Sequence, residues 1–361
     1  MYVENGKISN RQTLRLFVFD LMGIATLLLP PYLAKLCGAD GVFAILAGAF
    51  FGVLYLLYLG WIMKHLQMDL YQFLELQAKP FVRGISLLFV LLHSIFTAGF
   101  CGYVFANLMQ YSLVSRVPFW VVLGVIMIVA AYAVSGGIES RARVYEVLFW
   151  FVLLPYVGMM LASVKNVEFT YLHAFFQTGK ADFFKGVYLV FLFFTPLFFS
   201  LFLIGEKTKN YGRNVIKIVF VSVCIAAGVL LGSYLILLGN FGEHALASMK
   251  YPVVTLMSTI QFKGNFLKRM DAFMLAVWFF TLYALLNLHL HYGTSMMRVI
   301  FPKGKSKKWH VLVVSLLVFG IGICIYGETD WIWRFIDYYS YVAVPVMVVG
   351  PGVLLLCKKK R

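Results

Sequence analysis

Ionisable residues inside apolar sequence are where this chain of 361 residues has chemistry to offer. Asp20 lies in the run FVFDLMGIATLLLPPYLAKL. A lone carboxylate inside a bilayer costs several kcal/mol, so it is paired, hydrated or protonated. His289 and His291 lie in the similarly apolar run ALLNLHLHYG. Asp20 and His289 are the candidates for proton or ion coupling, with His289 the expected partner of Asp20. The same placement also suits a static hydrogen-bonded pair that fixes helix packing. Glu139, Arg141, Arg143 and Glu146 form a dense charged group. It reads either as a conformational latch or as an interfacial salt-bridge network.

No catalytic constellation accompanies these groups. There is no G-x-S-x-G, no P-loop and no H-E-x-x-H in the sequence. No catalytic residue, metal site or cofactor is expected, and the chain is not expected to be an enzyme. The five cysteines are scattered, odd in number and without a C-x-x-C pair, so they read as small apolar residues. A net charge of +16 in a soluble protein would point to nucleic acid. Here 62% of residues are hydrophobic and 13% charged, a composition that no soluble domain of this size needs. The positive charge is instead read as loops facing an anionic membrane leaflet, and membrane lipid is an expected partner.

The elements that hold these residues are transmembrane helices. Hydropathy predicts ten, near 13–36, 41–63, 82–110, 118–135, 144–164, 184–204, 215–239, 271–296, 310–327 and 335–357. An even number puts both termini on one side. That side carries about two thirds of the 31 Lys and Arg, which makes both termini cytoplasmic. Lys303, Lys305, Lys307, Lys308 and the tail KKKR contribute most clearly. The first residues are polar and show no removable signal peptide. One transmembrane domain over 1–361 is expected. It divides into a repeat at about 12–165 and an inverted one at about 180–357.

Matching breaks support the division. Gly23 and Pro30-Pro31 interrupt the first span, and Thr195-Pro196 sits at the centre of the sixth. Freed backbone groups in a bilayer persist only where protein or a wet cavity satisfies them. Paired interrupted helices are therefore a sequence pointer to a transporter-type site. A kinked helix packed through Gly23 is the plainer alternative. Two loops on the opposite side, 165–183 and 240–270, carry amphipathic pieces that read either as interfacial helices over an entrance or as plain loop.

With spans and motifs in place, the chain resembles the spore germination permease family. These are the B subunits of Ger-type nutrient germinant receptors, in the amino acid–polyamine–organocation superfamily. The resemblance runs through Ile8-Ser9-x-x-Gln12, Gly23, Leu29-Pro30 and Gly38-x-Asp40. It continues through Gly137-Ile138-Glu139-x-x-Ala142-Arg143, Tyr251-Pro252, Arg269-x-Asp271 and Trp278. It implies an all-α fold of ten helices in a LeuT-like five-plus-five inverted repeat, with helices one and six interrupted. It implies a spore inner-membrane receptor that binds a small nutrient, often an amino acid. That receptor acts with an A subunit and a lipoprotein C subunit. Carried over by position, the ligand pocket uses Gly23, Ile24, Ala25 and Thr26, with Phe100, Tyr103, Phe194, Thr195, Phe198 and Thr281 opposite. Helices one and eight adjoin in such folds. Some proton-coupled relatives place a lysine on helix five facing helix one, whereas 144–164 holds no lysine here. An active amino-acid–proton or cation symporter remains the alternative function, and a structural subunit with an empty pocket a third.

Overall fold

A computed structural model describes residues 8–66, 68–172, 175–203, 213–259, 270–302, 306–327 and 331–356, leaving aside the side chains of 213–214 and 270–277. Among these the protein is all-helical, and helix runs along each of the apolar stretches named above. Seven helical stretches are long and apolar enough to cross a bilayer, and Phe119–Ser135 is a shorter apolar helix. The protein is an integral membrane protein.

Helix α1 (Asn10–Met22) starts at a capping box. The Ser9 hydroxyl accepts from the Gln12 amide, and the Gln12 side chain accepts from the Ser9 amide. The remaining Gln12 amide group donates to Glu146 at 2.9 Å. The Ile-Ser-x-x-Gln motif thus both starts the first helix and ties it to helix α7 (Gly137–Ser163).

Helix α2 (Ala25–Cys37) continues α1 after two residues. It ends at Gly38, whose φ of +48° is open to glycine and unfavourable for a residue with a Cβ. There the chain reverses into α3 (Gly41–Leu66). The long helix α9 (Arg213–Ser248) records the reversal. Its Ser222 hydroxyl donates to Leu14 O, its Tyr234 hydroxyl to Gly38 O, and its Ile216 side chain lies against Gly60. The hairpin therefore runs out along α9 and back again. Asp40, at the reversal, accepts from the amides of Phe176 and Thr178 at 2.5 and 2.9 Å. Burial opposes its ionisation, but these amides prevail and hold the carboxyl below the usual carboxylate range.

Short helix α4 (Leu70–Leu76) leads into α5 (Pro80–Ser112), and α6 (Phe119–Ser135) precedes α7. Helix α8 (Lys180–Leu192) passes through a turn into a 3-10 helix, Thr195–Phe202. Eight residues of 3-10 helix are unusual, and such runs mark hinges or strain. Pro196 explains the onset, since it lacks the N–H an α-helix would use there. Helix α10 (Pro252–Thr259) buries Val253, Val254, Leu256 and Met257 against its neighbours, so part of the second amphipathic loop is a packed helix. The other part of that loop, 260–269, lies outside the described residues. So do Arg269, the Asp271 side chain, Lys303, Lys305 and the C-terminal basic tail. Helices α11 (Met270–Ile300) and α12 (Lys307–Ile325) follow. The last stretch is α13 (Trp331–Tyr338), a π turn over Tyr339–Ala343, and α14 (Val344–Leu356).

The first interruption is shorter than the sequence suggests. Pro30 and Pro31 lie inside α2, which runs on through them to Cys37. Only Gly23 and Ile24 leave the helix, and both keep right-handed dihedrals. The last bond of α1 joins Gly23 N–H to Phe19 O, and the next joins Leu28 N–H to Ile24 O. Among the described residues the amides of Ile24 and Leu27 have no main-chain acceptor.

Candidate functional site

A small cavity of about 30 Å³ lies where both interruptions meet. Helix one contributes Asp20, Leu21 and Ile24, and the second interruption contributes Phe193 and Pro196. Thr97 of α5 and Leu285 of α11 complete the walls, and Phe335, Ile336 and Tyr339 close it from the last helix. The lining is apolar apart from Asp20, the Thr97 hydroxyl and the Tyr339 phenol.

Aromatic stacking covers one end. Phe335 lies 3.7 Å from Phe100, centroid to centroid, at 5°. Beyond it Tyr32 meets Trp333 edge-on at 4.4 Å, and Lys35 sits over the Trp333 ring. This is the end toward the Gly38 reversal, and it is closed.

The other end rests on an ion pair. The Arg141 guanidinium donates to the Asp20 carboxylate, and both side chains are almost fully buried. The same nitrogen lies 3.4 Å from Ala284 O on α11. Arg141 also faces the Tyr145 ring. One side chain thus links α7, α1 and α11. The expected Asp20–His289 pair is not formed. Packing of α7 against α1 brings in a guanidinium, which meets a carboxylate with charge as well as hydrogen bonds. The sequence places Arg141 among interfacial charges because it lies near the Gly136-Gly137 corner. The other charges of that group do stay peripheral. Arg143 pairs with Glu139 one turn away at 2.6 Å, and Glu146 meets Arg11, Arg15 and Gln12.

His289 lies one turn beyond Leu285, fully buried, with neither ring nitrogen hydrogen-bonded. Its ring is edge-on to His93 of α5 at 5.4 Å. His93 Nδ1 lies 3.0 Å from the Tyr338 hydroxyl, next to the π turn. Sequence reasoning passed over His93, although it sits one turn before Thr97 on the face that borders the cavity.

Of the ten expected pocket residues, all are buried except that Gly23 carries no side chain to bury. Ile24 lines the cavity directly. Phe100 contributes through its stack on Phe335, and Tyr103 lies behind Phe100 at 6.4 Å. Phe194 and Thr195 flank Phe193 and Pro196, and a Cβ at Gly52 of α3 would touch the Phe194 ring. The hydroxyls of Thr26, Thr195 and Thr281 donate back to Met22 O, Leu192 O and Trp278 O of their own segments. Ala25 follows Ile24 at the start of α2. Phe198 points away and lines a different, lateral groove. Gly23 meets α11, where a Cβ would lie 2.7 Å from Thr281 O. Its absence of side chain admits a helix backbone at this point.

The geometry offers a small apolar cavity, a fixed ion pair beneath it and two unbonded amides, those of Ile24 and Leu27. That is a set of features for holding a small molecule, and no nucleophile or metal-ligating cluster stands among the described residues. The family profile described as "Spore germination protein" matches residues 7–331. Spore germination protein B2 of Bacillus subtilis (strain 168) is 22% identical over 324 residues, covering 89% of this chain and 87% of that one. Spore germination protein A2 of the same organism is 20% identical over 360 residues, covering 98% and 96%. Among solved structures, MhsT in complex with L-phenylalanine has a TM-score of 0.70 at 14% identity, over 95% of this chain and 87% of MhsT. A Na+-coupled sialic acid symporter has a TM-score of 0.62 at 12% identity, over 97% and 78%. The fold is that of the LeuT-type transporters.

Proposed function

The chain belongs to the spore germination protein family, and from that premise we propose that it is the membrane subunit of a nutrient germinant receptor. It binds a small nutrient, an amino acid, in the cavity between the two interruptions. Binding is passed on to a receptor A subunit and a lipoprotein C subunit. The chain is non-enzymatic and crosses the spore inner membrane ten times as a five-plus-five inverted repeat, with both termini in the cytoplasm. The Ile24 and Leu27 amides at the helix-one interruption receive the nutrient's carboxylate, as helix N-termini receive anions. The Asp20 carboxylate at the cavity edge receives its ammonium.

The observation that carries this reading is the Asp20–Arg141 pair. It supplies a cation from helix five facing helix one, but a guanidinium that keeps its proton under all physiological conditions. Proton-coupled transport by the helix-five route needs a charge at such a place that comes and goes. A permanent one supports ligand-driven change of conformation without ion movement, in which the ligand shifts the balance between two states. The likeness to coupled symporters favours the second reading, an amino-acid–proton or cation symporter, with His93 and His289 as the groups that would respond to a proton.

A thermal-shift screen of the twenty amino acids on the purified chain tests the site. At least one raises the melting temperature of the wild type, and none does so for Ile24→Trp, which fills the cavity. An equal shift in both proteins places the ligand elsewhere.

A further inference from the structure

The Phe198 groove is an open cleft of about 530 Å³ on the lateral surface, between α4, α5 and α14. Ile85 and Phe89 of α5 form one wall, and Val346 and Val349 of α14 the other. Ser86 is its one hydroxyl-bearing lining residue, and no lining side chain is charged. A polar occupant would find almost nothing to bond. An apolar one finds aromatic and branched walls over several helical turns.

The floor restricts the shape of that occupant. Phe198 lines the groove yet is only 5% exposed, so whatever touches it is slender. A helix is about 10–12 Å across with its side chains and would span the mouth without reaching that depth. An extended hydrocarbon chain reaches it.

One end of the groove is basic. Helix α5 begins at Lys79-Pro80, and Phe81 and Val82 are already groove residues. Lys79 is exposed, Arg83 is half-buried on the same turn, and neither has an ion-pair partner among the described residues. Helix α14 runs antiparallel to α5. Phe100 stacks on Phe335, and His93 bonds Tyr338, so Pro80 lies level with the end of α14. Lys64 closes α3 at the same end, since Tyr58 of α3 lies against Gly352 of α14. Glu75 of α4 is the nearby acid, exposed and without an ion pair among the described residues. A cationic mouth on a hydrocarbon-shaped cleft matches a molecule with one anionic head and a long apolar tail.

We propose that this groove is a binding site for an anionic phospholipid, with one acyl chain lying between α5 and α14 against Phe198 and the phosphate at Lys79 and Arg83. Because Phe198 belongs to the same 3-10 segment as Pro196, the chain end touches the element that also walls the cavity.

The test uses the full chain in membranes containing a phosphatidylglycerol probe with a photoactivatable group near the end of one acyl chain. Cross-links are mapped by mass spectrometry. Adducts are expected within 81–90, 198 or 345–354, and unlabelled phosphatidylglycerol displaces them at least fivefold better than phosphatidylcholine. The Lys79→Gln, Arg83→Gln double variant loses that preference. Ser86→Trp, which fills the groove, loses the adducts themselves. Three results overturn the proposal: adducts spread evenly over the lateral surface, equal competition by both lipids, or no adduct in this groove in the wild type. All three are read on the unmutated protein, so a variant that fails to fold does not shield the proposal.

Discussion

Arg141 donates to Asp20 across the interface between α7 and α1, three residues before the helix-one interruption begins at Gly23. The pair is buried on both sides and continues to Ala284 O on helix eight. Three helices, α7, α1 and α11, are thereby joined at one point beneath the cavity.

Removing one partner leaves a buried charge alone, and such losses are about 3–5 kcal/mol. Asp20→Asn is therefore expected to lower stability by that order, since it strands a guanidinium that keeps its charge, and Arg141→Met by less, since the carboxylate left behind can take up a proton. The double variant Asp20→Asn, Arg141→Met should recover at least half of the Asp20→Asn loss. Urea or thermal unfolding in detergent measures all three. Single variants within about 0.5 kcal/mol of wild type would show that the pair is not formed.

Asp40 gives a pH dependence of known sign. Its carboxyl in the folded protein lies below the usual carboxylate range. Its contribution is thus fully present above about pH 4, the ordinary Asp value, and is lost as pH falls further through the folded value. Asp40→Asn should lower the melting temperature at pH 7 and converge with wild type as pH drops toward 3. Parallel curves over that range would mean that the amides of Phe176 and Thr178 do not hold an ionised carboxylate.

Gly23→Val acts through packing. Its Cβ would enter the space of Thr281 O, so helix eight must shift. Loss of nutrient response is expected together with a melting temperature lowered by several degrees. Loss of response at unchanged stability would instead mean that the ligand touches Gly23 itself.

On the proposed reading, the two cavity-wall residues Leu285 and Ile336 set the selectivity. Leu285→Ala should shift the preferred nutrient toward a larger side chain, read as the concentrations giving half-maximal response across an amino-acid panel. Phe198→Ala should leave that order unchanged, because its ring faces the lateral groove. The reverse pattern would exchange the roles of the two residues.

Much of this arrangement was legible in the sequence because bilayers leave few choices. Apolar runs of 20 residues or so become helices, and Thr195-Pro196 marked an irregular segment because a missing N–H has a local effect. The prolines of helix one misled in position. Pro30 and Pro31 remove bonds inside α2 without ending it, and the interruption falls at Gly23 and Ile24, where helix eight crowds in. Arg141 was visible as a charge but not as the partner of Asp20. Its role depends on how helix five leans on helix one, which neither span lengths nor local motifs encode. Phe198 lines the lateral groove for a related reason: a 3-10 helix turns faster than an α-helix, so the face a residue presents cannot be carried over by α-helical spacing.

The central claim is that the chain binds a nutrient without carrying it. Radiolabelled uptake of the amino acid that stabilises the purified chain, measured in proteoliposomes under an imposed proton or sodium gradient, tests it most directly. The account predicts retained label that saturates near one equivalent per protein and does not change when an ionophore collapses the gradient. Accumulation above that level, driven by the gradient and abolished by the ionophore, would contradict it and make the protein a symporter.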